Sequence, residues 1–315
     1  MIRSIPRRLA TGAVLLALLT FVVYVGVDLL PGDPVTSRLG PNTSPDRVAE
    51  LKQHLGLDRP VLTRYGEWVT GLFRGDLGTS ASGRPVVDIL SGRIGNSAVL
   101  AALSVLLLVP LSLVLGLAAA SWRGRTADKV LSAGALLLVS VPEFVVASAL
   151  VLVFAVSLRL VPAVSLVPVG ESSLNHPDVL VLPVLSLLLV GLAYAVRVIR
   201  ASACSVLDSP HVECLRLSGA SRGTVLRRAV VPAVLPVAVQ VWLVTGVAFA
   251  GGAVLVEKVF GYPGIGEPLV ASVQSGDLPV VQALVLVLGA AMLAALVLAD
   301  LAVVLLTPRL RTSAS

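Results

Sequence analysis

Long apolar runs constrain the fold of this chain more than any other feature. A membrane-spanning helix needs about 20 mostly apolar residues to cross roughly 30 Å of hydrocarbon. Six runs approach or exceed that length, at 9–30, 98–120, 130–158, 179–196, 233–256 and 280–306. Because only helices and closed barrels satisfy the backbone in lipid, the runs predict an all-α integral membrane protein of about six transmembrane helices.

The composition argues against a soluble protein. The 315 residues are 56% hydrophobic and only 13% charged, with a mean hydropathy of +0.95, whereas soluble domains carry about 25% charged residues. Two cysteines, Cys204 and Cys214, build no disulfide framework, and the three histidines lack metal-ligand spacing, so we expect no metal site. The net charge of +6 comes from arginines beside helix ends, which indicates membrane topology rather than nucleic-acid binding.

The distribution of arginine and lysine predicts the orientation of the helices. Short loops rich in these residues stay in the cytoplasm. The N-terminus, the two loops at 121–129 and 197–228, and the tail at 307–315 carry most of them, so both termini are predicted to be cytoplasmic. We interpret 1–30 as a cytoplasmic N-terminus and first helix rather than a cleaved signal peptide, because the run is long and no small-residue cleavage site follows it.

The segment 31–97 is the largest piece outside the predicted spans, and we expect it to be extracytoplasmic and helical. A capping pattern predicts one helix from Ser44 to Gly56. A second helix is predicted after Pro60, with one apolar face at helical spacing. That face comprises Val61, Tyr65, Trp68, Val69 and Leu72. It either covers the outer ends of the spans or docks an external partner, and the sequence leaves both open.

The cytoplasmic loop 201–232, between the fourth and fifth predicted helices, is the most informative segment. A helix-prone stretch reaches a glycine, which permits a sharp turn, and the chain then resumes as a basic helix that returns to the membrane. A short helix lying along the membrane can transmit a rigid-body push from a soluble domain to the attached spans. The residues singled out in this loop are Glu213, Gly219, Ala220, Ser221, Arg222 and Pro232.

The spacing of Glu213, Gly219 and Pro232 resembles the EAA loop of binding-protein-dependent ABC importer permeases. The chain departs from the family pattern at its two alanines and at its Ile and Leu, where it has Cys214, Leu215, Ala229 and Val231. These departures bear on how strongly the loop would dock its partner.

Further short motifs occur in order along the chain. They are Leu-Leu-Pro-Gly-Asp-Pro at 29–34, Leu-Gly-Leu-Asp-Arg-Pro at 55–60, Arg-Gly-Asp-Leu-Gly at 74–78, Ser-Val-Pro-Glu-Phe at 140–144, Phe-Gly-Tyr-Pro-Gly-Ile-Gly at 260–266 and Pro-Arg-Leu-Arg at 308–311. Together with the loop they resemble the first membrane subunit of the oligopeptide/dipeptide/nickel importer family. The likeness extends from the first helix to the C-terminus.

The resemblance implies a permease subunit with its core at 98–306, in the cytoplasmic membrane of a bacterium. Such a subunit forms half of a translocation pathway together with a homologous second permease. Two separate ATP-binding subunits, which use ATP and Mg, grip the cytoplasmic loops, and an extracytoplasmic substrate-binding protein delivers the cargo. Di- or oligopeptides are the leading substrate class, and nickel or another small solute stays open. The resemblance implies no cofactor on this chain itself.

Three other classes of function are weighed against this one. The sequence has no Gly-x4-Gly-Lys-Ser/Thr loop, so nothing predicts ATP hydrolysis by the chain, and we interpret the ATPase-like Leu-Ser-Gly at 217–219 as part of the turn. A stand-alone secondary transporter is the main rival, although the internal inverted repeats typical of that class are not evident. A membrane-embedded enzyme is disfavoured, because no Ser/His or paired Asp set falls at matching depths.

Ionisable residues in or beside the spans are candidate functional sites, because charge is costly in lipid. Glu143 either lies on the substrate path or is a charge bonded to a neighbouring helix or near the membrane face. Asp300 is interpreted as a structural anchor, and Asp28 as a residue solvated at the membrane edge. In the outer loop 257–277, Tyr262 and Gly264 are candidates for a gate, with a plain re-entrant turn as the alternative.

Small residues in the fifth span would allow another helix to approach closely. They are Gly246, Ala250, Gly251 and Gly252. We interpret this helix as one that lies at the interface between two permease subunits.

Overall fold

The computed structural model describes residues 5–28, 44, 46, 53, 58–168 and 171–306. Within these ranges the chain is a bundle of helices. In chain order they are α1 (Ile5–Asp28), α2 (Val61–Leu72), α3 (Val86–Leu90), α4 (Arg93–Ser121), α5 (Thr126–Ser140), α6 (Glu143–Leu150), α7 (Pro177–Leu207), α8 (Pro210–Leu217), α9 (Arg222–Val225), α10 (Val231–Phe260), α11 (Gly266–Ser275) and α12 (Leu278–Leu306). The helix predicted from Ser44 to Gly56 and the tail at 307–315 lie outside the described residues.

Four helical stretches in the described ranges are long and apolar enough to cross a membrane. They are Val86–Ser121, Pro177–Leu207, Arg222–Phe260 and Leu278–Leu298. The pair α5 and α6 makes a fifth if it counts as one broken span, and α1 contributes a shorter apolar helix, Ala10–Gly26. The all-α membrane class is therefore confirmed, whereas the count of six spans and the cytoplasmic termini stay predictions.

The third predicted span, 130–158, is not a continuous helix. α5 ends at Ser140 and α6 begins at Glu143. Between them the direction of the helix axis bends by 108°. The cause is Pro142, because a proline lacks an amide hydrogen and forces the preceding residue out of the helical region. Val141 accordingly adopts φ −100° and ψ 129°. The second arm ends in a π-helical segment, Val151–Ser157.

α7 is the central helix of the bundle, and it packs against α4, α5, α6 and α10. Close approach depends on two glycines. A side chain at Gly116 of α4 would overlap Ile199, and one at Gly191 of α7 would overlap Phe249 of α10. α7 also continues well beyond the predicted end at residue 196, as far as Leu207.

The predicted apolar face of α2 is confirmed. Its five members are all partly buried, while Leu62, Thr63 and Glu67 on the other side are exposed. The face lies against α1, where the Tyr65 hydroxyl donates to the carbonyl oxygen of Ala17 at 3.0 Å and the Tyr65 ring packs edge-on against Phe21 and Tyr24. These contacts show α2 covering a span. They do not test whether it also docks an external partner.

Helix termini come together at two opposite ends of the bundle, which we call the cap end and the loop end. At the cap end, the start of α4 contacts the turn between α10 and α11 and a 3-10 turn at Ser173–Asn175. At the loop end, the last turns of α4 and α7 meet α8 and the start of α10. The two candidate functional regions lie at these opposite ends.

Candidate functional site

The loop between α7 and α10 folds as the sequence predicts. It consists of a short helix, a glycine turn and a helix that returns to the bundle. α8 begins with a proline at its first position, where the missing amide hydrogen costs nothing. Only Asp208 and Ser209 separate α8 from α7. The loop is therefore a rigid hairpin of helices rather than a flexible connection.

Gly219 makes the turn. Its φ of +81° lies in the left-handed region, where a side chain is strained. The Gly219 amide donates to the carbonyl of Arg216 at 3.0 Å, and the Ala220 amide donates to the carbonyl of Leu215 at 3.0 Å. These two bonds close the last turn of α8. A Cβ at Gly219 would meet no atom within 4 Å, so the backbone conformation alone demands the glycine.

Ser221 starts the returning helix. Its side-chain oxygen accepts a hydrogen bond from the Thr224 amide at 3.3 Å, which is the pattern of an N-cap. Arg222 then opens α9, and a π-helical turn at Leu226–Val230 joins α9 to α10 without a break. Pro232 follows that turn, at the start of α10. The wider π turn accommodates a residue that has no amide hydrogen to donate.

The hairpin is seated on the bundle through an apolar cluster, which we call the loop-end core. Val212 of α8 is fully buried, as is Val230 in the π turn. The cluster also contains Leu117 and Ala120 of α4, Ile199, Ala203 and Cys204 of α7, and Val225, Ala229, Val234 and Ala238 of the returning helix. Because one side of α8 is packed into a cluster that it shares with α4, α7 and the returning helix, a displacement of α8 is transmitted to them.

The other side of α8 is exposed. Glu213 and Arg216 both lie there, and the side chain of Leu217 is 82% accessible at the tip of the helix. Cys214 lies on the same exposed side, in contrast to the buried Cys204. Gly219, Ser221, Arg222 and Pro232 are exposed and Ala220 is partly buried, so the predicted loop residues do come together at the loop end.

A charged clamp at the loop end was missed by sequence reasoning. Asp128, in the first turn of α5, accepts hydrogen bonds from the Nε of Arg200 at 2.5 Å and from its second terminal nitrogen at 2.8 Å. The Gly124 amide donates to the same carboxylate at 2.9 Å. The clamp joins the start of α5 to the last third of α7. The sequence signal that could have found the clamp was an acid and an arginine near the ends of neighbouring spans.

A second ion pair at the loop end differs in its exposure. Arg123 donates to Asp208 at 2.6 Å, with both side chains more than half exposed. The hydrogen bond with Asp208 raises the pKa of the Arg123 guanidinium above its ordinary value. Arg123 lies just before α5 and Asp128 in its first turn, so the two pairs tie the start of α5 to the C-terminal end of α7 and the residue that follows it.

We expect Asp128→Asn to destabilise the protein and Asp208→Asn to change it little. Asp128 is 4% exposed and Arg200 is 28% exposed, so breaking their pair leaves a poorly solvated charge, at a cost of about 2 kcal/mol. The exposed pair is screened by water and salt. The check is the thermal midpoint of the purified protein in detergent, with Asp208→Asn as matched control. Equal shifts for the two variants would contradict the assignment of the clamp.

Glu143 lies at the bend between α5 and α6, half-buried against α10. A side chain at Gly252 would overlap its carboxylate, so the glycine makes room for the acid. No hydrogen bond or ion pair to Glu143 occurs among the described residues. Of the other small residues of α10, Gly246 lies close to Val105, whereas Gly251 faces open space. The interface role of this helix stays a prediction.

Tyr262 and Gly264 lie at the cap end, in the turn between α10 and α11. Both are buried, and Tyr262 is fully so. The Tyr262 hydroxyl donates to the Asn96 carbonyl or to Ser173 Oγ, each at 2.9 Å, and burial raises the pKa of this hydroxyl. A side chain at Gly264 would overlap the carboxyl group of Glu257. The predicted gate residues are thus packed inside the described chain, and a gating role stays a prediction.

Glu257 organises the cap end, and sequence reasoning did not find it. Its side chain is fully buried. One carboxyl oxygen accepts from Ser97 Oγ at 2.5 Å and the other from the Gly266 amide at 2.7 Å. The Ile265 amide in turn donates to Ser97 Oγ at 3.0 Å. The first turn of α4 is thereby bonded to both sides of the α10–α11 turn.

Asp28 and Asp300 lie in α1 and α12, and their side chains lie outside the part of the chain that the structure describes. Their predicted roles therefore stay predictions. No group of three or more His, Cys, Asp or Glu side chains that could hold a metal ion occurs in the described ranges.

Comparison with known proteins covers nearly the whole chain. Residues 112–312 match the family model described as binding-protein-dependent transport system inner membrane component, and residues 1–89 match the model of its N-terminal region. A peptide transport system permease protein of Brucella abortus is 33% identical over 311 residues, 98% of each chain. A glutathione transport system permease protein of Salmonella choleraesuis is 34% identical over 288 residues, 91% of each chain. A peptide ABC transporter permease protein of Sinorhizobium fredii is 30% identical over 311 residues.

Proposed function

The chain belongs to the family of binding-protein-dependent transport system inner membrane components, and on that premise we propose that its loop-end hairpin is the docking site of a separate ATPase. It is a permease component of an ABC transporter of the peptide and glutathione type. The proposal concerns how this component is driven and what it carries.

The observation that carries the proposal is the two-sided character of α8. One side is buried in the loop-end core, and the other exposes Glu213 together with the apolar tip at Leu217. A helix that is buried on one side in the loop-end core and free on its outer side can be pushed from outside without being detached. That is the requirement for converting closure of the ATPases into rigid-body movement of helices.

The hairpin has two rigid routes into the bundle. α8 follows α7 after two residues, and α9 continues through the π turn into α10. Movement of α8 would therefore tilt the central helix α7 and also α10, on which Gly252 receives Glu143. In this scheme ATP binding turns the pathway outward, and hydrolysis by the partner subunits resets it. The chain contributes no phosphate-binding loop to that chemistry.

Substrate and partners follow from the family and from the names of the relatives. We propose that the chain forms half of a pathway with a second, homologous permease in the cytoplasmic membrane of a bacterium. An extracytoplasmic binding protein would deliver peptides of a few residues, with nickel or another small solute as the alternative. Glu143 is the proposed pathway residue, because it is a half-buried carboxylate with no partner among the described residues. Tyr262 and Gly264 are the gate candidates at the outer mouth, with a fixed turn as the alternative.

The two cysteines provide a direct test of docking. Cys214 lies on the exposed side of α8, whereas Cys204 is buried in the loop-end core. A water-soluble maleimide should therefore label the native protein at Cys214 alone. We expect added ATPase subunits to slow that labelling by about tenfold or more, because a docked partner covers the helix.

The matched control is the double variant Cys214→Ser, Arg84→Cys. Position 84 is exposed and lies far along the chain from α8. Its labelling should be unaffected by the ATPases. Undiminished labelling of Cys214 in a complex that hydrolyses ATP would contradict docking at α8. Solute uptake into liposomes by the chain alone, under an ion gradient, would instead support a stand-alone transporter.

A further inference from the structure

A pocket lies between α5 and α7 near the loop end. Its volume is about 590 Å³. The lining residues are Ser132 and Leu136 of α5, and Tyr194, Arg197, Val198, Arg200 and Ala201 of α7. The lining thus combines cationic and hydroxyl groups with apolar side chains. The docking of an ATPase at α8 makes no use of it.

The charge of the pocket is unbalanced. Arg200 is paired with Asp128. Arg197 is exposed, and among the described residues it has neither a hydrogen bond nor an ion pair. One guanidinium cation is therefore left to attract an anion, and a guanidinium binds phosphate oxygens through two parallel hydrogen bonds. The Tyr194 side chain is 43% exposed and lines the same pocket, where its hydroxyl is available as a further donor.

The depth of the pocket corresponds to a membrane surface. Arg197 lies 20 residues after Pro177, the first residue of α7, which is roughly 30 Å at 1.5 Å per residue. That length is about the thickness of the hydrocarbon core. The guanidinium is thus placed at headgroup level if α7 enters the hydrocarbon near its first residue. Basic pockets between helices on the cytoplasmic side are typical binding sites for anionic lipid headgroups.

The pocket lining is also partly apolar and open. Leu136 of α5 is 53% exposed, and Val198 and Ala201 of α7 add apolar surface. An acyl chain can lie along such a surface, whereas a small soluble anion would gain nothing from it. A cationic pocket at headgroup depth with an exposed apolar wall matches an amphiphile.

From these observations we propose that the α5–α7 pocket binds the headgroup of an anionic phospholipid, with Arg197 as its main ligand. The acyl chains lie along α5. The site is adjacent to the Asp128–Arg200 clamp, so an occupied pocket braces the contact between α5 and α7.

The test uses the full chain purified with its partner permease. Native mass spectrometry would compare phosphatidylglycerol with phosphatidylcholine of the same acyl chains. We expect selective retention of phosphatidylglycerol, and an Arg197→Gln variant should bind it about fivefold more weakly, the effect of one arginine at a membrane surface. Arg125→Gln is the control, because it removes the same charge at the same end from a residue that does not line the pocket. Ala201→Leu fills the pocket with all charges kept, and it should also weaken binding.

Several outcomes would overturn the proposal. One is equal binding of the two lipids, and another is equal weakening by Arg197→Gln and Arg125→Gln. Binding of phosphatidylglycerol to the chain alone but not to the assembled complex would show that a protein surface covers the pocket. Displacement of phosphatidylglycerol by inorganic phosphate or by acetate would assign the pocket to a small anion. Thermal midpoints of all variants distinguish lost binding from lost folding.

Discussion

A Gly219→Pro variant is expected to reach the membrane and bind its partner permease, yet to lose ATP-driven uptake by at least a factor of ten. Proline holds φ near −65°, whereas the turn needs +81°. It also removes the amide that donates to the Arg216 carbonyl. The end of α8 must therefore rearrange, and the exposed side of the helix no longer presents Glu213 and Leu217 together. Uptake and the ATPase rate of the assembled complex are the measurements.

A pair of alanine variants isolates the backbone effect. Gly219 and Gly223 both have open space where a Cβ would be placed, but only Gly219 has a positive φ. Gly219→Ala should cost about 1–2 kcal/mol at the turn and reduce uptake partly. Gly223→Ala lies in α9 and should leave uptake unchanged. Normal uptake by Gly219→Pro, or equal losses in the two alanine variants, would contradict the proposed role of the turn.

Much of the fold could be predicted because its signals are local. Apolar runs set the spans, and the glycine turn, the N-cap at Ser221 and the apolar face of α2 all follow from short-range spacing. The bend at Pro142 was visible as a proline. Its angle of 108° was not, because it depends on how α6 packs against α7 and α10. Whether the run at 130–158 is one bent span or two arms therefore became visible only in the fold.

The pairing of charges could not be predicted from one sequence. Asp128 and Arg200 are 72 residues apart, and Ser97 and Glu257 are 160 residues apart. Which acid meets which donor depends on the helix order and rotation within the bundle, and hydrophobic periodicity does not encode either. For the same reason the sequence left Tyr262 as either a gate candidate or part of a plain re-entrant turn, and its full burial became visible only in the fold.

Glu257→Ala is expected to produce the largest loss of stability at the cap end. The change leaves the Gly266 amide and the Ser97 hydroxyl without their acceptor inside the protein, and it opens a cavity beside Gly264. A buried donor that loses its acceptor costs about 1–3 kcal/mol, so we expect the free energy of unfolding to fall by roughly 2–4 kcal/mol. Glu267→Gln is the matched control, since Glu267 is exposed and pairs with Arg93 at the surface.

The same network decides between the two interpretations of the cap. A gate must open in each transport cycle, whereas a fixed cap keeps its hydrogen bonds throughout. The Tyr262 amide donates to the Glu257 carbonyl at 2.9 Å, and the Gly266 amide donates to the Glu257 side chain. With the complex trapped in its ATP-bound state, we expect hydrogen exchange at these two amides to stay as slow as in the resting state. Exchange that becomes faster by a factor of ten or more on ATP binding would contradict a fixed cap and establish Tyr262 and Gly264 as moving parts of a gate.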